Sequence, residues 1–73
     1  MGKRKRVIHA LTSRQRQVLH LVVKGRSARE IGALLNISPR TVEYHKYRLM
    51  EDLQLPNSTA LIRYAIENGL VSD

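Results

Sequence analysis

Apolar residues fall into four blocks at helical spacing, and each block is bounded by residues suited to helix ends. In the first, Gln15, Val18, Leu19 and Val22 share one side while Arg14, Arg16 and Lys24 lean outward, which predicts a helix over about residues 13–24. Thr12 with Gln15 three residues on has the form of a capping box, and Leu11 is placed to staple back onto the first turn. Gly25 suits the left-handed position just past the end. The second block, Ala28, Ile31, Leu34 and Leu35, predicts a buried stripe on a helix over residues 28–35. Ser27 and Glu30 form its capping box, Asn36 ends it in a conformation asparagine tolerates, and Ile37 plugs the corner. Gly32 inside it costs about 1 kcal/mol of helix propensity relative to alanine. Close approach of a neighbouring helix is the expected reason.

The third block is the one the others serve. Ser38 caps, Pro39 takes the first helical position, and Val42, His45, Leu49 and Leu53 draw one apolar stripe on a helix over residues 39–53. The opposite side carries Arg40, Glu43, Tyr44, Tyr47, Arg48 and Glu51. Such a face of donors, acceptors and phenolic rings suits a DNA major groove, although an amphipathic surface helix has the same pattern. After Leu55, a Pro-Asn-Ser turn stops this helix and caps a fourth over about residues 58–68, with Leu61, Tyr64 and Ala65 inward and a Schellman-type end at Gly69 and Leu70. Ile62 and Ile66 lie off that stripe with Thr59 and Arg63 beside them, either widening the core contact or forming a self-association face.

The pattern therefore predicts an all-α, compact four-helix domain over residues 11–73. A short helix, a tight turn and a longer helix in succession have the layout of a helix-turn-helix. Hydroxyls at Ser27, Ser38 and Thr41 stand at helix N-termini, where free N–H groups suit phosphate oxygens.

Composition narrows the partner. The 73 residues carry 13 Lys and Arg against 6 Asp and Glu, a net charge of +7, which favours a polyanion, nucleic acid before acidic membrane. Lys3, Arg4, Lys5 and Arg6 open a segment without apolar period, so residues 1–10 read as a flexible basic arm or linker remnant. There is no cysteine, no apolar run of membrane length and no secretory pattern, and a cytoplasmic protein is expected. His45 lies on the apolar stripe without a second ligand-type residue at metal spacing, so a partly buried histidine bonded to a neighbouring helix is expected there. His9 and His20 are isolated. With no nucleophile set, phosphate loop or paired carboxylates, neither an enzyme nor a cofactor or metal site is expected.

Several segments together resemble the DNA-binding domain of LuxR/FixJ/NarL-type (GerE-like) transcription regulators. They are LTSR at Leu11–Arg14, the VLHLV run from Val18, SAREI at Ser27–Ile31 and LNISPRTVEYH at Leu35–His45, with NSTALIRYAIENGL following. The resemblance covers Leu11 to Leu70. It implies that the second and third helices form the helix-turn-helix and that the fourth is a dimerisation helix pairing two copies on a two-fold-related site. It also implies a bacterial, nucleoid-associated setting, RNA polymerase as a candidate contact, and a place either as a stand-alone regulator or as the effector domain of a response regulator.

Carried over by position, base readout falls on Glu43, Tyr44 and Tyr47, to which the displayed face adds Arg40; phosphate contacts fall on Ser27, Arg29, Thr41, Lys46 and Arg48. The dimer interface falls on Thr59, Ile62, Arg63 and Ile66. Two positions depart from many relatives: Gln15 stands for a glutamate, and Glu43 for a Lys, Arg or other polar residue. A carboxylate there repels phosphate and accepts from a cytosine amino group. Two alternatives stay open: the promoter-reading module of a sigma factor, whose likeness would end near Leu53, and a protein-interaction module with weakened DNA binding.

Overall fold

The computed structural model describes residues 11–70. Its four helices are α1 (Ser13–Val23), α2 (Ala28–Leu35), α3 (Pro39–Leu53) and α4 (Ser58–Glu67), and no strand occurs among the described residues. Local chemistry sets every boundary. Thr12 and Gln15 close one capping box and Ser27 and Glu30 another, each side chain satisfying the other residue's backbone N–H at 2.9–3.1 Å. Ser38 caps α3 ahead of Pro39. The cap of α4 is Asn57, within the expected Pro-Asn-Ser turn: its Oδ1 accepts the Ala60 N–H at 2.9 Å, and Ser58 is the first helical residue.

The four C-terminal ends share one device. Gly25, Asn36, Gln54 and Gly69 each take a left-handed conformation, with φ of 86°, 61°, 58° and 63°. The next residue's N–H then returns to the carbonyl five positions back: Arg26 to Leu21, Ile37 to Gly32, Leu55 to Met50 and Leu70 to Ala65, at 2.8–3.1 Å. Gln54 therefore stops α3 two residues before Pro56, so the Pro-Asn-Ser turn is not what ends it. α1 and α4 each end one residue short of the expected limit.

Two buried clusters hold the helices. Val18, Val22, Ile31 and Val42 join α1, α2 and α3, while Leu11, Leu19, Leu49, Leu61 and Ala65 join α1, α3 and α4. Adjacent Val18 and Leu19 serve different clusters, and α1 and α3 run through both. Each fully buried Leu, Ile or Val contributes roughly 1.5–3 kcal/mol, so these few side chains dominate the stability of so small a domain. Leu11 belongs to the second of these clusters.

Three details differ from the apolar pattern. Leu34 is 61% exposed, and Gly32 takes a buried place on α2 instead. Gly32 is glycine because the turn and the first residue of α3 come close to it: a Cβ there would lie 2.5 Å from the Ile37 carbonyl oxygen and 3.3 Å from the Pro39 nitrogen. The chain folds back against α2 so closely that no side chain fits between. His45 is half-buried, but its recorded partner is the ring of Tyr44, edge-on at 5.6 Å, rather than a hydrogen bond to another helix.

Candidate nucleic-acid interface

α3 stands with Val42 and Leu49 fully buried beneath it and its opposite side open. Arg40, Glu43, Tyr44, Tyr47, Arg48 and Glu51 are all exposed, Tyr44 and Tyr47 by 55% and 61%. At about 1.5 Å per residue, Arg40 to Tyr47 covers about 10 Å of helix. That length matches roughly three stacked base pairs at 3.4 Å each. Leaving two tyrosine rings in water forgoes apolar burial; among the described residues the only other large apolar side chains so exposed are Leu34 and Ile66.

Apart from Arg40, the charged groups on this face are already arranged among themselves. Lys46 Nζ lies 3.5 Å from a Glu43 carboxylate oxygen, Arg48 Nε lies 3.8 Å from Glu51, and Arg48 Nη1 donates to the Tyr44 hydroxyl at 3.2 Å. The Tyr44 hydroxyl is the main reason the Arg48 guanidinium is held above its ordinary pKa. With its oxygen accepting from Arg48, the Tyr44 phenol keeps its own proton to donate elsewhere. Glu43 is partly neutralised by Lys46, so its repulsion of a phosphate backbone is weaker than the residue type alone suggests.

At the N-terminal ends, Ser38 Oγ accepts the Thr41 N–H at 3.1 Å and shares a proton with the Thr41 hydroxyl at 2.9 Å. Ser27 does the same service for α2 and is exposed, as is Arg29. Arg26, Arg29 and Arg40 are exposed, and their side chains form no ion pair or hydrogen bond among the described residues. Arg26 adds an exposed cation directly beside the Ser27 cap, a position the apolar pattern does not mark. Of the residues assigned to phosphate, Thr41 and Lys46 are half-buried, and Ser27, Arg29 and Arg48 are exposed.

The α4 residues come together separately. Thr59, Ile62, Arg63 and Ile66 line one open groove with Glu67. Ile66 is 59% exposed, whereas Ile62 is half-buried against the cluster of Val18, Val22, Ile31 and Val42. Among the described residues there is no group of three or more His, Asp or Glu side chains able to hold a metal, and no helix is long and apolar enough to cross a membrane.

This architecture is that of a helix-turn-helix protein: a short helix, a three-residue turn and a longer helix whose outer face is free. The chain belongs to the luxR family of bacterial regulatory proteins, whose pattern it matches over residues 9–65. That match continues through most of α4, past Leu53 where a sigma-factor likeness would have ended. The chain is 44% identical over 62 residues to the transcriptional regulatory protein MctR of Rhizobium johnstonii, covering 85% of this chain and 29% of that protein. It is 34% identical over 61 residues to the response regulator UvrY of Escherichia coli K12, covering 84% of this chain and 28% of the relative. The chain thus spans less than a third of the length of these relatives.

Proposed function

We propose that this domain binds double-stranded DNA sequence-specifically in transcription regulation, with α3 in the major groove and two copies on a two-fold-related site. The observation that carries the reading is the outer face of α3, where Arg40, Glu43, Tyr44 and Tyr47 stand exposed opposite the buried Val42 and Leu49. Membership of a family of regulatory proteins supports it. Phosphate neutralisation by Arg29, Lys46 and Arg48, with hydroxyls of Ser27 and Thr41, supplies most of the affinity, and groove contacts from α3 supply the specificity. Pairing through Thr59, Ile62, Arg63 and Ile66 sets the half-site spacing. RNA polymerase is a further candidate contact, and a cytoplasmic, nucleoid-associated location follows from the same reading.

Selection of binding sites from a random duplex pool at moderate salt tests this. The expected winner is an inverted repeat whose half-site centres lie about 10 base pairs apart. Affinity should fall with salt at a log–log slope of about 0.9 per phosphate contact. A single unpaired motif removes the dimer. Recovery of no motif, with binding that vanishes as salt rises, removes sequence-specific readout and moves a protein-interaction role to first place.

A further inference from the structure

Two side-chain hydrogen bonds cross between helices from the first turn of α1. Arg14 Nη1 reaches the carbonyl of Leu35, the last residue of α2, at 3.5 Å. Gln15 Nε2 reaches Asp52 Oδ2, one residue before the end of α3, at 3.4 Å. Gln15 is buried, at 8% exposure, and its other amide atom is committed, since Oε1 accepts the Thr12 N–H at 2.9 Å. A capping box tolerates Glu or Gln at this position equally. The Asp52 contact does not, because the amide donates to a carboxylate whereas an ionised glutamate can only accept.

We infer that Gln15 is a positioning residue for DNA readout: with Arg14 it braces the far ends of both helix-turn-helix helices, and through Asp52 it holds the angle at which α3 meets the groove. A cation at the C-terminal carbonyls of α2 is electrostatically favourable, and a donor to a charged acceptor is stronger than a neutral pair. Both contacts originate in one helical turn, so they tie α2 and α3 to a common reference. Neither Gln15 nor Asp52 lies on the proposed DNA face. Arg48 on α3 is a charged neighbour of Asp52, whose carboxylate helps raise the Arg48 pKa; Arg14 and Arg16 flank Gln15 in sequence and Glu51 flanks Asp52, while Arg63 and Glu67 of α4 form no ion pair among the described residues. This inference rests on the DNA-binding reading for its consequence, but not for the contact itself.

Gln15→Glu is the informative change, because it keeps the capping acceptor and converts only the group facing Asp52 into a second carboxylate. Like charges raise the pKa of one partner in the folded state, so the variant is relieved at low pH and penalised as pH rises through that raised value. Affinity of the full chain is measured for a selected duplex and a scrambled one, at pH 5 and pH 7.5, below the unfolding temperature and as a ratio to the unaltered protein. For the selected duplex at pH 7.5 the variant should lose about tenfold, the equivalent of one pKa unit of repulsion, with less loss at pH 5. Scrambled duplex should be bound almost unchanged. Gln15→Glu combined with Asp52→Asn should restore selected-site affinity, because an amide can again donate across the joint.

Equal losses on both duplexes, or no rescue by Asp52→Asn, overturn the positioning role, as does a Gln15→Glu variant indistinguishable from the parent at pH 7.5. If the unaltered protein binds no duplex at any salt, the DNA-binding reading fails instead. The pH-dependent melting of Gln15→Glu, with its rescue, then tests the Asp52 contact alone.

Discussion

Tyr44 and Arg48 show how neighbours change the chemistry a residue offers. An isolated tyrosine hydroxyl donates or accepts, but one that already accepts from Arg48 at 3.2 Å is biased towards donating to a phosphate or base oxygen or nitrogen. Tyr47 has no such tie among the described residues, so its ring remains available for apolar contact with a thymine methyl. Tyr47→Ala should therefore flatten discrimination between selected and scrambled duplexes, while Arg48→Ala should weaken both alike and lower the salt slope by about 0.9. Parallel titrations of the two variants at several salt concentrations check this, and identical behaviour would sink the division of roles. A second residue-scale prediction concerns Gln54, which takes a left-handed conformation that costs an L-residue roughly 1–2 kcal/mol. After glycine's own entropic cost, Gln54→Gly should stabilise the domain by about 0.5–1 kcal/mol, read as a higher urea midpoint at unchanged slope.

At the scale of the element, the turn between α2 and α3 is the part least tolerant of change. Gly32→Ala gains about 1 kcal/mol of helix propensity on paper. Yet the new methyl group would meet the Ile37 carbonyl at 2.5 Å, a backbone atom that cannot rotate away. Overpacking of this kind costs about 1–3 kcal/mol, so the net effect expected is destabilisation, with DNA affinity reduced further because α3 must shift. Thermal unfolding beside a binding titration separates the two effects. A Gly32→Ala variant as stable as the parent would mean that the turn relaxes more readily than its geometry implies. The helix ends are closed chiefly by local chemistry: each of the four has a side-chain cap at its start and a left-handed residue at its finish.

On the scale of the whole molecule, α4 faces two ways. Leu61 and Ala65 seal the cluster with Leu11, Leu19 and Leu49, while Ile66 stays in solvent beside Arg63 and Thr59. Ile62 is a poor probe of pairing because it also packs against Val18, Val22, Ile31 and Val42. Ile66→Glu is cleaner. It should leave the melting temperature and single half-site binding nearly unchanged and abolish cooperative occupancy of a two-half-site duplex, as seen in a gel shift with one and two half-sites. Persistence of cooperative binding would place the contact between copies elsewhere. A single helix face of this size buries too little for a tight dimer in free solution, so pairing is expected to depend on the DNA.

The sequence by itself determined the four helices, because their capping residues and the terminators Gly25, Asn36 and Gly69 act over three to five positions and can be seen one block at a time; Gln54, a residue type with no such signature, is the left-handed end that only the structure shows. The sequence also determined the inward set Gln15, Val18, Leu19 and Val22 of α1, all of which are buried. The displayed face of α3 was legible for the same reason: Arg40, Glu43, Tyr44 and Tyr47 fall opposite Val42 and Leu49 by helical geometry alone. Only the tertiary structure decided the rest. Helical period marked Leu34 for burial, but no element packs over it and it stays 61% exposed, because periodicity does not say how far a partner extends. Gly32 owes its identity to a backbone carbonyl brought back by the turn, and Ile62 owes its half-burial to α1, at least forty residues earlier in the chain, as well as to nearer helices. Gln15 and Asp52, 37 residues apart, meet because α1 and α3 share both core clusters. Periodicity records which side of a helix is apolar; which partner arrives on that side, and at what angle, is set by long-range packing.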